Sequence, residues 1–162
     1  MEILSTKGSI KNTIEEEAAF NNKIPILEIL KKYFENENEK KSENYIYPIK
    51  NVLEIASGSG THAKYFTENL SSIKIYQPTE FDEERFSVIS EQNKFNKIVK
   101  PVIELDVTKK NHWEKISDNF YDFGIATNFT HITSWDCTEY LFEGISRKLK
   151  ENALFMLYGP FK

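Results

Sequence analysis

The chain has 162 residues, of which 40% are hydrophobic and 28% charged, with 21 Lys plus Arg against 25 Asp plus Glu and a formal net charge of -4. At about 100–200 residues per domain this is one domain with a core of its own, and it excludes both two full domains and a chain disordered throughout. The acidic balance leaves no global basic footprint, so nucleic acid is not an expected partner. Cys137 is the only cysteine, which rules out an intrachain disulfide and a thiolate zinc cluster and suits the reducing cytoplasm. No run approaches the length of a membrane-spanning helix, and Met1–Gly8 lacks a basic region followed by an apolar block, so no membrane partner is expected and a cytoplasmic location is.

Residues 1–17 are polar and weakly patterned, which predicts a flexible arm. Ile26, Leu27, Leu30 and Phe34 then recur at helical offsets, predicting a helix over 18–34 with Pro25 in its first turn. The charged, amide-rich run 35–44 has nothing to bury and reads as a linker, so 18–47 forms a helix-plus-linker unit ahead of the main domain at 48–162. After Pro48 short apolar runs alternate with helical patterns: strands at 51–56, 73–77, 101–105, 122–127 and 153–158, with helices at 61–70, 82–95 and 136–149. Parallel neighbours need crossover helices, so the expected fold is α/β, a Rossmann-like doubly wound, mostly parallel sheet. The chain stops just after the fifth strand, which predicts an uncovered sheet edge, a missing C-terminal part, or completion by a partner chain or by self-association.

In such a sheet the ligand lies beyond the carboxyl ends of the strands, where strand order reverses. The turn after the first strand is Ser57-Gly58-Ser59-Gly60, whose glycines allow a sharp bend and a close backbone approach. Glu80 stands 20 residues after Gly60, where a carboxylate accepts hydrogen bonds from ribose hydroxyls. Gly58-Ser59-Gly60-Thr61-His62-Ala63 also satisfies a dinucleotide fingerprint. Glu54, an ionisable side chain within an apolar strand, opposes a pyrophosphate and favours a cationic ligand. S-adenosylmethionine, with a sulfonium, an ammonium and no phosphate, meets that condition.

Val52 to Gly60 resembles motif I of class I S-adenosylmethionine-dependent methyltransferases. More narrowly, the chain resembles the methyltransferase-like 26 family through pieces that run in order from about residue 21 to the end. These are Asn22-Lys23 with Pro25-Ile26-Leu27, the run from Glu54 to Gly60 with His62, Gln77-Pro78-Thr79-Glu80, and Leu105-Asp106-Val107-Thr108. Asn128 with His131, Thr138-Glu139 with Leu141-Phe142, and Tyr158-Gly159-Pro160-Phe161 complete the set. The resemblance implies the class I methyltransferase fold, S-adenosylmethionine binding and methyl transfer to an acceptor, a small molecule or protein, that it does not identify. It also implies that Ala56, Gly58 and Gly60 hold the methionine part, with Glu54 ordering their loop, that Glu80 holds the ribose, that Asp106 and Val107 hold the adenine, and that Asn128 borders the methyl donor. Ala56 replaces the first glycine of the general motif, Asn21 stands where the family has arginine, and the family's last helix and strand pair is absent.

For catalysis the candidates are Asn128 and His131, whose imidazole could take a proton from an acceptor. Methyl transfer is an in-line displacement on an activated donor and needs alignment more than a base. His62 reads as a structural neighbour of the loop, Asp82 as a helix cap, His112-Trp113 as a surface pair and Cys137 as a packed small residue; Trp113, Trp135 and Phe129 read as core before acceptor-stacking groups. The three histidines have no metal-ligand spacing, and no metal is expected. A nicotinamide-dependent oxidoreductase and a non-catalytic cofactor-binding interaction module stand as the alternative functions.

Overall fold

A near-continuous apolar run, Val52, Leu53 and Ile55, buries both faces of the first strand, which is what a strand sandwiched between two helical layers requires. The computed structural model describes residues 3–35 and 45–160. Five strands, β1 (Asn51–Ile55), β2 (Ile75–Glu80), β3 (Ile103–Glu104), β4 (Tyr121–Thr127) and β5 (Leu149–Tyr158), form one sheet in the order β3-β2-β1-β4-β5. Every pairing is parallel. This is the expected Rossmann-like, doubly wound fold, and strand order reverses at β1, which has β2 on one side and β4 on the other. The crevice for a ligand therefore opens at the carboxyl ends of β1 and β4.

Helices α1 (Ile3–Phe34), α2 (Thr61–Asn69), α3 (Phe86–Asn93), α4 (Lys110–Trp113) and α5 (Trp135–Lys148) flank the sheet. On one face Ile26, Leu30 and Phe34 of α1 and Ala63 and Phe66 of α2 pack on Val52, Tyr76, Phe123 and Ile125. On the other, Trp113 of α4 with Leu141 and Ile145 of α5 packs on Leu53, Ile55 and Ala126. The alternation of Val52, Leu53, Glu54 and Ile55 thus aims Glu54 at the α1–α2 face.

Several elements differ from their sequence reading. The first helix begins at Ile3, not at residue 18, because once its C-terminal half is anchored in the core, propagation adds a hydrogen bond per residue and meets no proline before Pro25. Pro25 consequently stands inside the helix, where its ring leaves the Asn21 carbonyl without its helical donor. Strand β2 runs on to Glu80, so that residue ends the strand. The helix expected over 82–95 divides into a 3-10 turn at Glu83–Arg85 and α3. His112 and Trp113 form part of a short helix and are 6% and 2% exposed, so they are core, not a surface pair. The linker read at 35–44 lies, from residue 36 on, outside the described residues, as do Phe161 and Lys162. Among the described residues no helix is long and apolar enough to cross a membrane, and no cluster of His, Cys, Asp and Glu could hold a metal ion.

Candidate cofactor site

The chain leaves β1 through three left-handed residues, Ala56 at φ 57°, Gly58 at 58° and Gly60 at 78°. The turn is tied down by Ser57 N–H donating to the Thr79 carbonyl at 2.8 Å and Gly60 N–H to the Ser57 carbonyl at 2.9 Å. Thr79 returns a bond from its hydroxyl to the Glu54 carbonyl at 2.8 Å, so β2 holds the chain where it enters the turn. The two glycines serve different needs. A Cβ on Gly58 would meet nothing within 4 Å, whereas one on Gly60 would stand 2.9 Å from Asn93 Nδ2 and 3.1 Å from Ile89 Cα. Gly58 borders open space, and Gly60 lets α3 close against the loop. Gly58→Ala should therefore destabilise the fold by about 1–2 kcal/mol from its left-handed backbone alone, and Gly60→Ala by a further 1–3 kcal/mol or so from overpacking. Urea denaturation of the two variants checks this, and equal midpoints would contradict it.

Glu80 is the carboxylate that orders the loop. It is 7% exposed; its Oε2 accepts from Gly58 N–H at 2.7 Å, and its Oε1 accepts from the N–H groups of Phe81 at 2.9 Å and Asp82 at 3.1 Å. Burial raises its pKa above the usual carboxylate value, against the opposing pull of these N–H groups and of Arg85. Asp82 is the expected cap, accepting from Glu84 N–H at 3.1 Å.

The Glu54 side chain accepts no hydrogen bond from the loop's N–H groups. It is 1% exposed, and neither carboxyl oxygen has a hydrogen-bond partner. The hydroxyls of Ser57 and Tyr76 lie beside it and favour its ionised form, but both are themselves without a hydrogen bond. Burial, reinforced by the charge of Glu80, pushes the Glu54 pKa up to about 8. His62 Nδ1 stands 3.7 Å from Glu54 Oε1, and burial together with Lys23 holds the imidazole down to about 4. At neutral pH the two are a carboxylic acid and a neutral imidazole rather than an ion pair. The His62 Nε2 pairs with Asn22 Oδ1 at 2.8 Å; a carbonyl oxygen only accepts, so Nε2 carries the proton and Nδ1 faces Glu54 bare. Stacked on Phe66 with an interplanar angle of 9°, His62 thus joins α1 to the floor of the loop, the structural part its sequence position suggested.

Asp106 and Val107 follow β3. Asp106 Oδ1 accepts from the Thr108 N–H at 3.0 Å and hydroxyl at 2.7 Å, and Lys109 Nζ lies 3.4 Å from Oδ2. Burial works against ionisation, but Thr108 and Lys109 outweigh it and lower the Asp106 pKa. The Asp106 N–H donates to His112 Nδ1 at 3.1 Å, and Trp113 Nε1 donates to the Val107 carbonyl at 2.9 Å. Two side chains of α4 therefore set this loop. Sequence reasoning missed them because a four-residue helix has no hydrophobic period to detect.

Asn128, after β4, is left-handed at φ 57°, a conformation asparagine tolerates better than most residues, and its N–H donates to the Tyr158 carbonyl at 2.7 Å. A cavity of about 550 Å³ lies beside it, lined by Ala18, Asn22, Asn128, Leu157, Tyr158, Gly159 and Pro160. His131 is exposed and is not among those residues. Trp113 and Phe129 are core as read, but Trp135 is 73% exposed; Cys137 packs half-buried against the α5 side of the core. Glu54, Ala56, Gly58, Gly60 and Glu80 thus converge on one loop, Asp106 and Val107 sit on the loop after β3, and Asn128 joins Asn22 at the cavity.

A family model described as a protein of unknown function, DUF938, matches residues 14–162. Among solved structures, the chain is similar to the DszA carbon methyltransferase, with a TM-score of 0.65 and 19% identity over 86% of this chain and 35% of that one. It is also similar to the trans-methyltransferase CalH in complex with SAH, with a TM-score of 0.57 and 21% identity over 68% of this chain and 32% of that one. The YcgJ protein from Bacillus subtilis gives a TM-score of 0.59 and 19% identity over 81% of this chain and 48% of that one. The chain therefore spans between about a third and a half of the length of these three structures.

Proposed function

The chain belongs to the DUF938 family, and from that premise we propose that it binds S-adenosylmethionine at the loops after β1, β2 and β3 and serves methyl transfer to an acceptor, as a member of the methyltransferase-like 26 family in the cytoplasm. The observation that carries the reading is Glu54, a fully buried carboxyl with both oxygens unpartnered directly beneath a glycine loop. A positively charged ligand would favour the ionised form of that carboxyl and draw off the proton that burial keeps on it, whereas a pyrophosphate would oppose its ionisation. For the same reason a nicotinamide dinucleotide is the poorer fit.

The remaining residues suit the parts of the ligand. Glu80 has its carboxylate already positioned by three N–H groups and keeps lone-pair capacity for ribose hydroxyls. The left-handed turn at Ala56, Gly58 and Gly60 leaves backbone groups to the methionine part. Asp106 and Val107 would hold the adenine, and Asn128 would border the methyl-bearing end. When bound, the cofactor supplies a methyl group activated by positively charged sulfur. The protein's part is to hold the two reactants in line.

Isothermal titration with S-adenosylhomocysteine and, separately, with NAD tests this. Binding of S-adenosylhomocysteine and not NAD is expected, with Glu80→Ala weakening it by about 1–3 kcal/mol, the worth of hydrogen bonds to a charged acceptor. Binding of NAD alone, or of neither by a folded chain, would overturn the reading, and cofactor binding without turnover on any acceptor would favour an interaction module.

A further inference from the structure

The cavity between α1 and the carboxyl ends of β4 and β5 is separate from the residues that suit the nucleoside. Glu80, Asp106 and Val107 take no part in its lining, and of the candidate cofactor residues only Asn128 does. Its volume of about 550 Å³ falls in the range of small-molecule sites.

The lining chemistry is selective. Among the described residues it holds two carboxamides, one phenol and otherwise apolar groups, with no Asp, Glu, Lys, Arg or His. The carboxamide of Asn22 is oriented, because its Oδ1 is taken by His62, so the hydrogen-bonding capacity it has to offer the cavity is its NH2. Asn128 is held by its left-handed backbone and by its bond to Tyr158. A charged ligand entering here would lose hydration with no opposite charge to receive it. A hydroxyl would also need a base to take its proton, and an alkylammonium one to free its lone pair, and among the described residues the lining supplies neither carboxylate nor imidazole.

We propose that this cavity is the acceptor site and that it takes a small uncharged molecule bearing a polar hydrogen-bonding group and a nitrogen whose lone pair is free at neutral pH, the arylamine class. This rests on the S-adenosylmethionine reading above. Asn22 and Asn128 set the specificity by hydrogen bonding, and Ala18 sets the depth of the cavity from α1.

The test uses 3-aminobenzamide, which is uncharged, against the equally sized 3-aminobenzoate, an anion, and 3-(aminomethyl)benzamide, a cation. Each is titrated into the full chain saturated with S-adenosylhomocysteine, with binding read by calorimetry and ligand-observed NMR. The uncharged amide should bind, and the two charged compounds at least tenfold more weakly. Ala18→Phe, on a partly exposed face of α1, should fill the cavity and weaken 3-aminobenzamide at least tenfold while S-adenosylhomocysteine binds as before. Equal binding of the charged compounds, no binding of the amide to a chain that holds S-adenosylhomocysteine, or an Ala18→Phe variant that binds the amide normally would each overturn this assignment alone. A chain that does not bind S-adenosylhomocysteine would overturn the cofactor reading, and this proposal with it.

Discussion

Gly144→Ala is expected to destabilise the domain by about 1–3 kcal/mol, a sizeable part of the roughly 5–15 kcal/mol that holds a domain of this kind folded. A Cβ on Gly144 would stand 2.1 Å from Trp113 Cε2 and 2.3 Å from Cζ2, inside any van der Waals contact. The indole cannot simply step aside, since it is 2% exposed and its Nε1 is bonded to the Val107 carbonyl. Moving it gives up that bond, worth about 1 kcal/mol, and adds overpacking strain of roughly 1–3 kcal/mol. The better helix propensity of alanine returns only about 1 kcal/mol. Urea denaturation should show the midpoint fall, and in a Trp113→Leu background the same alanine should have little effect, since the two positions act through one contact. A Gly144→Ala midpoint equal to that of the parent would refute the packing argument.

The same contact explains what could and could not be read from residues alone. Strands such as Val52–Ile55 and Tyr121–Thr127 are legible because burial on both faces demands continuous apolar runs. The turn at Ser57–Gly60 is legible because left-handed backbone selects glycine. The fold class followed from the alternation of these runs with helices, and the parallel sheet bears it out. The extension of α1 to Ile3 was hidden, because helix propagation from an anchored segment leaves no hydrophobic period. Trp113 against Gly144 was hidden for another reason. Nothing in either residue's neighbours says that α4 and α5 will meet, and a lone glycine within a helical pattern reads as a tolerated defect until its partner is known.

The candidate site divides in the same way. Glu80 was legible from its spacing after the loop, and its carboxylate does reach back to Gly58. What spacing could not say is that Glu80 is the carboxylate that accepts from the Gly58 N–H, because that depends on which rotamers the packing of β1 against β2 permits. The Asn22–His62 bond spans 40 residues and appears only when α1 lies across α2. His112 behind Asp106 escaped for want of any pattern around it.

The buried Glu54–His62 pair leads to a pH dependence whose two halves oppose one another. Glu54 has a folded pKa raised from 4.5 to about 8. Between those values the folded chain holds a proton that the unfolded chain does not, so this group's stabilisation is complete below 4.5 and is lost as pH rises through 8. His62 has a folded pKa lowered from 6.5 to about 4. There the unfolded chain holds the extra proton, so stability grows as pH rises from 4 to 6.5. At 1.36 kcal/mol per pH unit for each group, the slopes cancel between about 4.5 and 6.5, where the pair leaves stability level. Above 6.5 only the Glu54 contribution changes, and stability should fall by about 2 kcal/mol by pH 9. Glu80, also raised by burial, acts in the same direction. Glu54→Gln keeps the shape and neutrality of the protonated carboxyl while removing its titration, so its difference from the parent isolates this group. The variant should match the parent near pH 4.5, rise about 2 kcal/mol above it by pH 6.5 because the His62 gain is no longer cancelled, and hold its stability on the alkaline side where the parent declines. Urea denaturation of both proteins at pH 4.5, 6.5 and 9 reads all of this. Parallel profiles for the two would mean that Glu54 is ionised in the folded chain, with His62 or Ser57 and Tyr76 meeting its charge after all.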